Sequence, residues 1–89
     1  MKFKGTVTVW LKEGIFDPQG AAVKGSLEAM GFKEVEKVRI GKNIVISLDA
    51  ENALEAKDLL EQMARKLLAN PVTEAYRVHV EEEKAGAER

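Results

Sequence analysis

The sequence predicts an α+β fold: a two-layer sandwich in which two helices cover one face of a four-stranded, mainly antiparallel sheet. Three observations predict it. Apolar residues alternate with polar ones in four stretches, as in strands that bury one face. In two other stretches the apolar residues recur every three to four positions, as in amphipathic helices. The chain has 89 residues, which gives room for one small domain.

The first third of the chain predicts a strand followed by a helix. The inward-facing residues of the strand are Phe3, Val7, Val9 and Leu11. Asp17 is a preferred helix N-cap, and Pro18 suits the first helical position because its missing N–H needs no partner there. The apolar stripe of the helix consists of Val23, Leu27 and Met30. Gly31 then ends the helix as a C′ glycine.

The middle of the chain predicts a β-hairpin. Apolar and polar residues alternate over residues 37–40 and again over residues 44–49. The three residues between these stretches, Gly41, Lys42 and Asn43, have the composition of a turn. Two antiparallel strands, the second and third of the sheet, are therefore expected here.

The last third predicts a second helix and a fourth strand. Asp49 or Asn52 can cap the helix, and Asn52 has the spacing of a capping box with Glu55. The predicted inner face of the helix consists of Ala56, Leu60, Met63 and Leu67. Asn70 and Pro71 end the helix, because proline cannot continue it and restricts the residue before it. The apolar side of the last strand consists of Tyr76, Val78 and Val80.

The order of elements is thus predicted to be β-α-β-β-α-β, the order of ferredoxin-like folds. The domain is expected to cover residues 1–82, and residues 83–89 are expected to form a flexible charged tail. This architecture by itself says little about function, because it hosts enzymes, ligand sensors and interaction modules alike.

Composition excludes several classes of function. The chain has no cysteine, which removes disulfides, thiol catalysis, iron–sulfur clusters and thiolate zinc sites. The net charge is −1 and the pI is about 5.9, whereas nucleic-acid-binding domains are usually basic. No apolar run is long enough for a membrane span or a signal peptide. The sequence therefore predicts a cytoplasmic protein that binds neither nucleic acid nor a membrane.

The reactive side chains predict no self-sufficient active site. His79 is the only histidine, and on the outer side of a terminal strand it has no positioned partner for general-base catalysis. The run Glu81–Glu83 could collect a cation, but a solvated face is its more usual role. Gly14 and Gly20 flank a helix N-terminus, where anions can bind, and turn geometry explains them equally well. No metal or cofactor site is predicted.

The outer face of the sheet carries two candidates for self-association, Trp10 and Val45. Strand alternation places both on the side away from the helices. Aromatic residues are enriched at subunit interfaces, and a sheet covered on one side only leaves its other side available. The alternative is a single exposed aromatic residue that packs on the neighbouring threonines.

Three stretches together resemble the PurS family, the small subunit of phosphoribosylformylglycinamidine (FGAM) synthase. The stretches are KEGIFDPQGAAV at residues 12–23, VRIGK at residues 38–42 and KLLANPVTEAY at residues 66–76. The match extends from about Phe3 to Glu82, which is nearly the whole chain. No single motif is decisive, but the three at these intervals are specific.

The resemblance implies a non-catalytic subunit of a glutamine-dependent carbon–nitrogen ligase (EC 6.3.5.3) of de novo purine biosynthesis. Such a subunit is a homodimer or tetramer that bridges a glutaminase and an ATP-dependent synthetase. It assists ammonia transfer for the conversion of formylglycinamide ribonucleotide to formylglycinamidine ribonucleotide. The partner subunits use ATP, Mg and glutamine, and the small subunit holds no cofactor. The candidate partner-interface residues in the matched stretches are Asp17, Pro18, Gln19, Gly20, Arg39, Lys42, Asn70, Pro71 and Tyr76.

The alternative function is a small-molecule-binding regulatory module of the ACT type. Such modules have the same element order and bind ligands near the loop between the first strand and the first helix. Gly14 and Gly20 would permit close backbone approach there. ACT modules usually accompany an enzyme domain, for which this chain has no room.

Overall fold

A computed structural model describes residues 1–83, with elements in the order strand, helix, strand, helix, strand. The elements are β1 (Lys2–Leu11), α1 (Pro18–Ala29), β2 (Gly41–Asp49), α2 (Ala53–Met63) and β3 (Glu74–Glu82). A π-helical turn, Ala64–Leu68, continues α2. Within the predicted tail, the Glu83 amide still donates to the Lys2 carbonyl at 2.9 Å. The rest of the predicted tail lies outside the described residues.

The three strands form one antiparallel sheet with β1 at its centre, in the order β2-β1-β3. In the register, Val7 lies opposite Ile44 on one side and Val78 on the other. Because successive side chains of a strand point to opposite faces, this register gathers the aliphatic residues on one face. Val7 and Val9 on that face are almost completely buried and form the middle of the core.

The prediction of a four-stranded sheet is wrong. Gly41 pairs with Trp10 and begins β2, so it is not part of a turn. A side chain at Gly41 would lie 2.7 Å from the Val9 carbonyl oxygen, and glycine therefore permits the close approach of two strands. Residues 38–40 belong to no strand in the described part of the chain. Their alternation of apolar and polar residues is therefore not a sign of sheet pairing.

Helix α2 packs across β1 and β3 and supplies the second layer of the core. Asn52 caps its start by accepting a hydrogen bond from the Glu55 amide at 2.9 Å. Its buried row has a spacing of four residues and consists of Ala56, Leu60 and Ala64, with the partly buried Leu68 next in line. A side chain at Gly5 would overlap the end of Leu60, so glycine lets α2 lie directly on β1. The prediction that Leu67 faces inward is wrong, because this row places it outward.

Helix α1 does not pack against the sheet, so the prediction of two helices on one face is also wrong. Gly20 is its only buried residue, and Met30 in the predicted apolar stripe is 71% exposed. The Cα radius of gyration is 16.8 Å, whereas a compact chain of this length would have about 12 Å. Residues 18–37, named here the α1 arm, therefore project from the body formed by the sheet and α2. Neither helix in residues 1–83 is long and apolar enough to cross a membrane.

Candidate docking site at the base of the α1 arm

The carboxylate of Asp17 joins the start of α1 to the segment before β2. One oxygen accepts a hydrogen bond from the Gly20 amide at 2.8 Å, and the other accepts one from the Ile40 amide at 2.7 Å. The hydrogen bond from Ile40 has the larger effect on the Asp17 carboxyl group, and the one from Gly20 comes second. Both favour the ionised form and therefore lower the pKa of Asp17. The positive charge of Arg39 lowers this pKa further. Asp17 is buried, so it acts as an internal anchor rather than an open contact.

Gly20 lies where α1 crosses the backbone of the returning segment. A side chain at Gly20 would overlap the Val38 carbonyl oxygen and would come within 2.9 Å of the Asp17 carboxylate. A backbone carbonyl cannot rotate aside as a long side chain can. The glycine therefore permits the Asp17 hydrogen bonds to form, and it is not exposed to a partner.

Arg39 holds the loop between β1 and α1. Its guanidinium donates hydrogen bonds to the carbonyl oxygens of Leu11 at 3.2 Å, Lys12 at 3.1 Å and Ile15 at 3.1 Å. The planar fork of arginine suits such a multiple contact. The sequence interpretation of Arg39 as a charge for an external partner therefore misses its internal bonds.

Three more of the predicted interface residues line an open cleft of about 290 Å³ at the base of the arm. Pro18 and Gln19 contribute from the first turn of α1, and Lys42 contributes from β2. Trp10 and Glu74 also line the cleft. Pro18, Gln19 and Lys42 are exposed, so they are available to a partner in a way that Asp17 and Gly20 are not.

Asn70 and Pro71, two further predicted interface residues, lie in the turn between α2 and β3. The Asn70 side-chain oxygen accepts from the Val72 amide at 3.0 Å, and the Asn70 amide donates to the Glu74 carboxylate at 2.7 Å. The Pro71 carbonyl accepts from the Lys12 ammonium at 2.8 Å, which joins this turn to the loop after β1. The predicted residues at the base of the α1 arm and those in this turn therefore lie at the same end of the sheet.

Tyr76 lies in β3, shortly after this turn, and its side chain contacts α2. Its hydroxyl donates a hydrogen bond to the Glu61 carboxylate at 3.0 Å, and its ring packs against the core. It fixes β3 to α2. Its role in the structure is therefore internal, as it is for Asp17, Gly20 and Arg39.

The two outer-face candidates, Trp10 and Val45, are not brought together. The Arg77 guanidinium lies over the Trp10 ring, 5.6 Å from its centroid, in a cation–π contact. Val45 lies opposite Thr6 in the register, four residues along β1 from Trp10, a separation of about 13 Å. Trp10 is half-buried at the cleft, whereas Val45 is 60% exposed in the middle of the outer face.

Reactive groups are sparse in the described part of the chain. His79 is exposed on β3 opposite Thr6. Among residues 1–83 no group of three or more His, Asp or Glu side chains is arranged to hold a metal ion. The site at the base of the arm consists of a loop held by the Arg39 hydrogen bonds, exposed polar side chains and a cleft, which together suit protein contact. The fold and the site thus define a small α+β interaction subunit.

Comparison with known proteins identifies the family. The family model described as "PurS: Phosphoribosylformylglycinamidine (FGAM) synthase" matches residues 4–82. The Bacillus subtilis PurS subunit of that synthase is 44% identical over 80 residues, which cover 90% of this chain and 94% of the relative. The Thermus thermophilus PurS structure has 44% identity and a TM-score of 0.85, and the match covers 94% of this chain and 100% of that one.

A further match is to a chain in the structure of PurLQS from Thermotoga maritima. It has 31% identity and a TM-score of 0.83, and it covers 91% of this chain and 99% of that one. The chain belongs to the PurS family. It is a subunit of FGAM synthase, a ligase of purine biosynthesis, and the resemblance stated from its three motifs is confirmed.

Leu67 and Val72 are two residues whose position on the surface the sequence analysis did not predict. Both are large, apolar and strongly exposed at the end of the sheet that holds the site. A signal for the position of Leu67 is present in the sequence. Small or apolar residues recur every four positions at Ala56, Leu60, Ala64 and Leu68, and a buried row through these residues places Leu67 on the outside. The predicted inner face instead reached Leu67 at a spacing of four from Met63.

Proposed function

We propose that this chain is a non-catalytic assembly subunit that joins the glutaminase and ATP-dependent synthetase subunits of FGAM synthase in the cytoplasm. The observation that carries the proposal is the likeness to a chain of the PurLQS structure over nearly the full length of both chains. The subunit itself contributes shape, and the partner subunits contribute ATP, Mg and glutamine chemistry.

The chemistry of ammonia explains why such a subunit is useful. The glutaminase hydrolyses the glutamine amide and releases ammonia, and the synthetase uses ATP to activate the amide of formylglycinamide ribonucleotide. Ammonia in neutral water is mostly protonated, and ammonium has no free electron pair with which to attack. Transfer between the two sites must therefore avoid bulk water, which requires the subunits to be held in a fixed arrangement. A rigid spacer assists ammonia transfer in this way without a reactive group.

The base of the α1 arm supports a docking role. The Asp17 and Arg39 hydrogen bonds fix the loop from which α1 starts. A surface that is rigid before binding loses less conformational entropy when it binds. The exposed residues proposed to contact a partner subunit are Pro18, Gln19, Lys42, Asn70 and Pro71.

Self-association forms the second part of the proposal, as a homodimer or tetramer. Helix α2 lies over β1 and β3, and the helix-side residues of β2 remain partly exposed. These residues are Ile44, Ile46 and Leu48. A sheet whose apolar face is half covered needs a further layer.

The α1 arm of a second copy is the layer that fits. An isolated helix of 12 residues is marginally stable in water, so α1 needs packing to stay helical. Its stripe of Val23, Leu27 and Met30 has no sheet of its own to cover. We therefore propose that the α1 arm of a second copy packs on the partly exposed helix side of β2. Trp10 and Val45 on the outer face stay a prediction for the contact between two such dimers.

Reconstitution tests the assembly role. The synthetase and glutaminase subunits are assayed with and without this chain, once with glutamine and once with ammonium chloride as nitrogen donor. Glutamine-dependent product formation should require the chain, whereas ammonia-dependent product formation by the synthetase should not. Glutamine-dependent synthesis at an unchanged rate without the chain would contradict the proposal.

A further inference from the structure

In the described part of the chain, β2 forms one edge of the sheet, and half of its backbone groups face away from β1. Ala50, directly after β2, shows which half. Its amide donates to the Met1 carbonyl at 2.9 Å, and its carbonyl accepts from the Met1 amino group at 3.1 Å. Because hydrogen-bonded pairs alternate along an antiparallel ladder, the even-numbered residues of β2 bond to β1. The N–H and C=O groups that face the free edge belong to Gly41, Asn43, Val45, Ser47 and Asp49.

The free edge of β2 lacks the features that usually prevent strands of different molecules from pairing. β2 contains no proline, and its register with β1 runs without a bulge from Gly41 to Asp49. Residues 43–48 carry no charge, and the charged residues of β2 stand near its ends, at Lys42 and Asp49. Long, regular and uncharged edge strands are templates for pairing with a further strand.

The free edge of β3, in contrast, is charged. This strand has Glu74 at one end, Arg77 near its middle and Glu81 and Glu82 at the other end. A two-fold antiparallel contact between two copies of β3 would bring the glutamates of its two ends together, which is unfavourable. The Glu74 carboxylate lies two strands away from β2 and accepts a hydrogen bond from the Asn70 amide at 2.7 Å. β2 is therefore the edge that is open to a further strand.

The segments on either side of β2 carry charges of opposite sign. Residues 37–42 contain three basic residues and no acidic one, and residues 49–55 contain three acidic residues and no basic one. Two of these charges already have partners, because Lys37 pairs with Glu13 at 3.3 Å and Asp49 pairs with the amino terminus at 2.9 Å. The remaining charges leave the start of β2 basic and the segment after β2 acidic.

We propose that β2 pairs antiparallel with β2 of a second copy around a two-fold axis at Val45, so that two three-stranded sheets become one sheet of six strands. The inference rests on the self-association part of the proposed function and specifies where that contact lies. This register pairs every residue of β2, and the N–H and C=O groups at the two edges form about ten hydrogen bonds. Ile44 lies opposite the partner's Ile46, so the aliphatic helix side continues across the contact.

A second copy is the occupant that the charges favour. An antiparallel contact places the basic start of each β2 beside the acidic segment that follows the other β2, and the two-fold axis repeats this pairing. Lys42 and Glu51 are exposed and form no salt bridge within residues 1–83, and the contact brings them to the same end. The contact is also closed, because it uses both β2 edges and leaves only the charged edges of β3.

The strand pairing acts together with the packing of the α1 arm proposed above. A contact between two strands alone is marginally stable in water. The edge of β2 and its helix side are different surfaces, so strand pairing leaves the helix side available to the arm. Loss of either contact should therefore dissociate the dimer.

An introduced cysteine tests the position of the two-fold axis, because the chain has no cysteine of its own. Val45 lies opposite itself across the axis, with Cα atoms about 5.5 Å apart, a distance that a disulfide can span. In the controls Asn43→Cys and Ser47→Cys the two equivalent Cα atoms would be about 14 Å apart. All three side chains are exposed. On mild oxidation Val45→Cys should form a covalent dimer at least about tenfold faster than either control, as measured by non-reducing electrophoresis.

A pair of proline variants tests the hydrogen bonds of the edge. Ser47→Pro removes an N–H that faces the free edge of β2 and no bond to β1, so the sheet should stay folded while the dimer dissociates. Glu82→Pro is the control at the other edge. The Glu83 amide donates to the Lys2 carbonyl, so the N–H of Glu82 faces the free edge of β3, and its loss should leave the dimer intact. Sedimentation velocity measures the mass, and circular dichroism checks the fold.

The outcomes separate this contact from the proposed function. An oligomeric chain that crosslinks at equal rates through residues 43, 45 and 47 would overturn the β2 contact and leave self-association standing. A dimer that dissociates on Glu82→Pro but survives Ser47→Pro would also overturn it, because the contact would then lie at β3. If Ser47→Pro does not fold, the crosslinking rates decide. A lone subunit for the unmodified chain would contradict the self-association part of the proposed function itself.

Discussion

The Asp17 carboxylate is the single group on which the attachment of the α1 arm depends most directly. Two backbone amides donate to it, from Gly20 in the arm and from Ile40 in the segment before β2. Its pKa is lowered in the folded chain, so the ionised form contributes stability that is present above the ordinary Asp pKa of about 3.9. That contribution is lost as the pH falls through the lowered pKa of the folded state.

Asp17→Asn should therefore destabilise the chain at neutral pH and have less effect in acid. The asparagine still caps α1 through its oxygen, but its NH₂ group cannot accept from the Ile40 amide. The difference in free energy of unfolding between the two proteins is measured by urea titration from pH 7 to pH 2.5. It should be constant down to about pH 5 and shrink below about pH 3.9. The Asp49 titration is common to both proteins and cancels. A pH-independent difference would show that the charge of Asp17 is not the cause.

Gly20→Ala and Gly25→Ala, two substitutions in the same helix, should have opposite effects. The new methyl group at residue 20 would overlap the Val38 carbonyl, whereas nothing lies within 4 Å of the corresponding position at residue 25. Gly20→Ala should cost about 1–3 kcal/mol at the base of the arm, and Gly25→Ala should stabilise α1 by about 0.5–1 kcal/mol. Amide hydrogen exchange at Ile40 and the helical circular dichroism signal measure the two effects. Unchanged Ile40 protection in Gly20→Ala would contradict the close packing described here.

Helix α2 is the element that depends most on a single side chain. Leu60 is fully buried against β1, where Gly5 provides the room for it. Leu60→Ala should lower the free energy of unfolding by about 2–5 kcal/mol, because it leaves a cavity that the sheet cannot close. The exposed Leu54 is the control, and Leu54→Ala should change stability by less than about 0.5 kcal/mol. Urea denaturation of both variants measures the difference, and similar values would argue against this arrangement of the core.

The elements that could be predicted from the sequence are those determined by local signals. Asp17 and Asn52 cap the two helices as expected, and the alternation in the first strand gives the buried face of β1. Gly41 was misinterpreted because glycine serves both turns and close strand approach, and the sequence does not distinguish the two uses. The position of α1 was missed for a different reason. Its apolar stripe requires a covering surface but does not specify whether that surface is in the same chain.

The candidate site shows the same limit at the scale of the whole molecule. Sequence motifs located the residues at the base of the arm and in the turn before β3, and the structure places both at one end of the sheet. They did not reveal that Asp17, Arg39 and Tyr76 make internal hydrogen bonds. Long-range contacts of this kind depend on the folded arrangement. A residue in a recognisable motif can therefore be needed for the shape of a docking surface without touching the partner.

The projecting α1 arm and the partly uncovered β2 side of the sheet lead us to expect a stability that depends on protein concentration. If the arm of a second copy completes the core, unfolding is coupled to dissociation, and each tenfold rise in protein concentration should raise Tm by about 4 °C. Val23→Asp places a charge in the apolar stripe of α1 and should abolish the dependence. Ala21→Asp, on the opposite side of the same helix, is the control and should preserve it. Sedimentation velocity should show a lone subunit for Val23→Asp and an oligomer for Ala21→Asp. An oligomer that survives Val23→Asp but dissociates on Trp10→Lys or Val45→Lys would instead assign self-association to the outer face of the sheet.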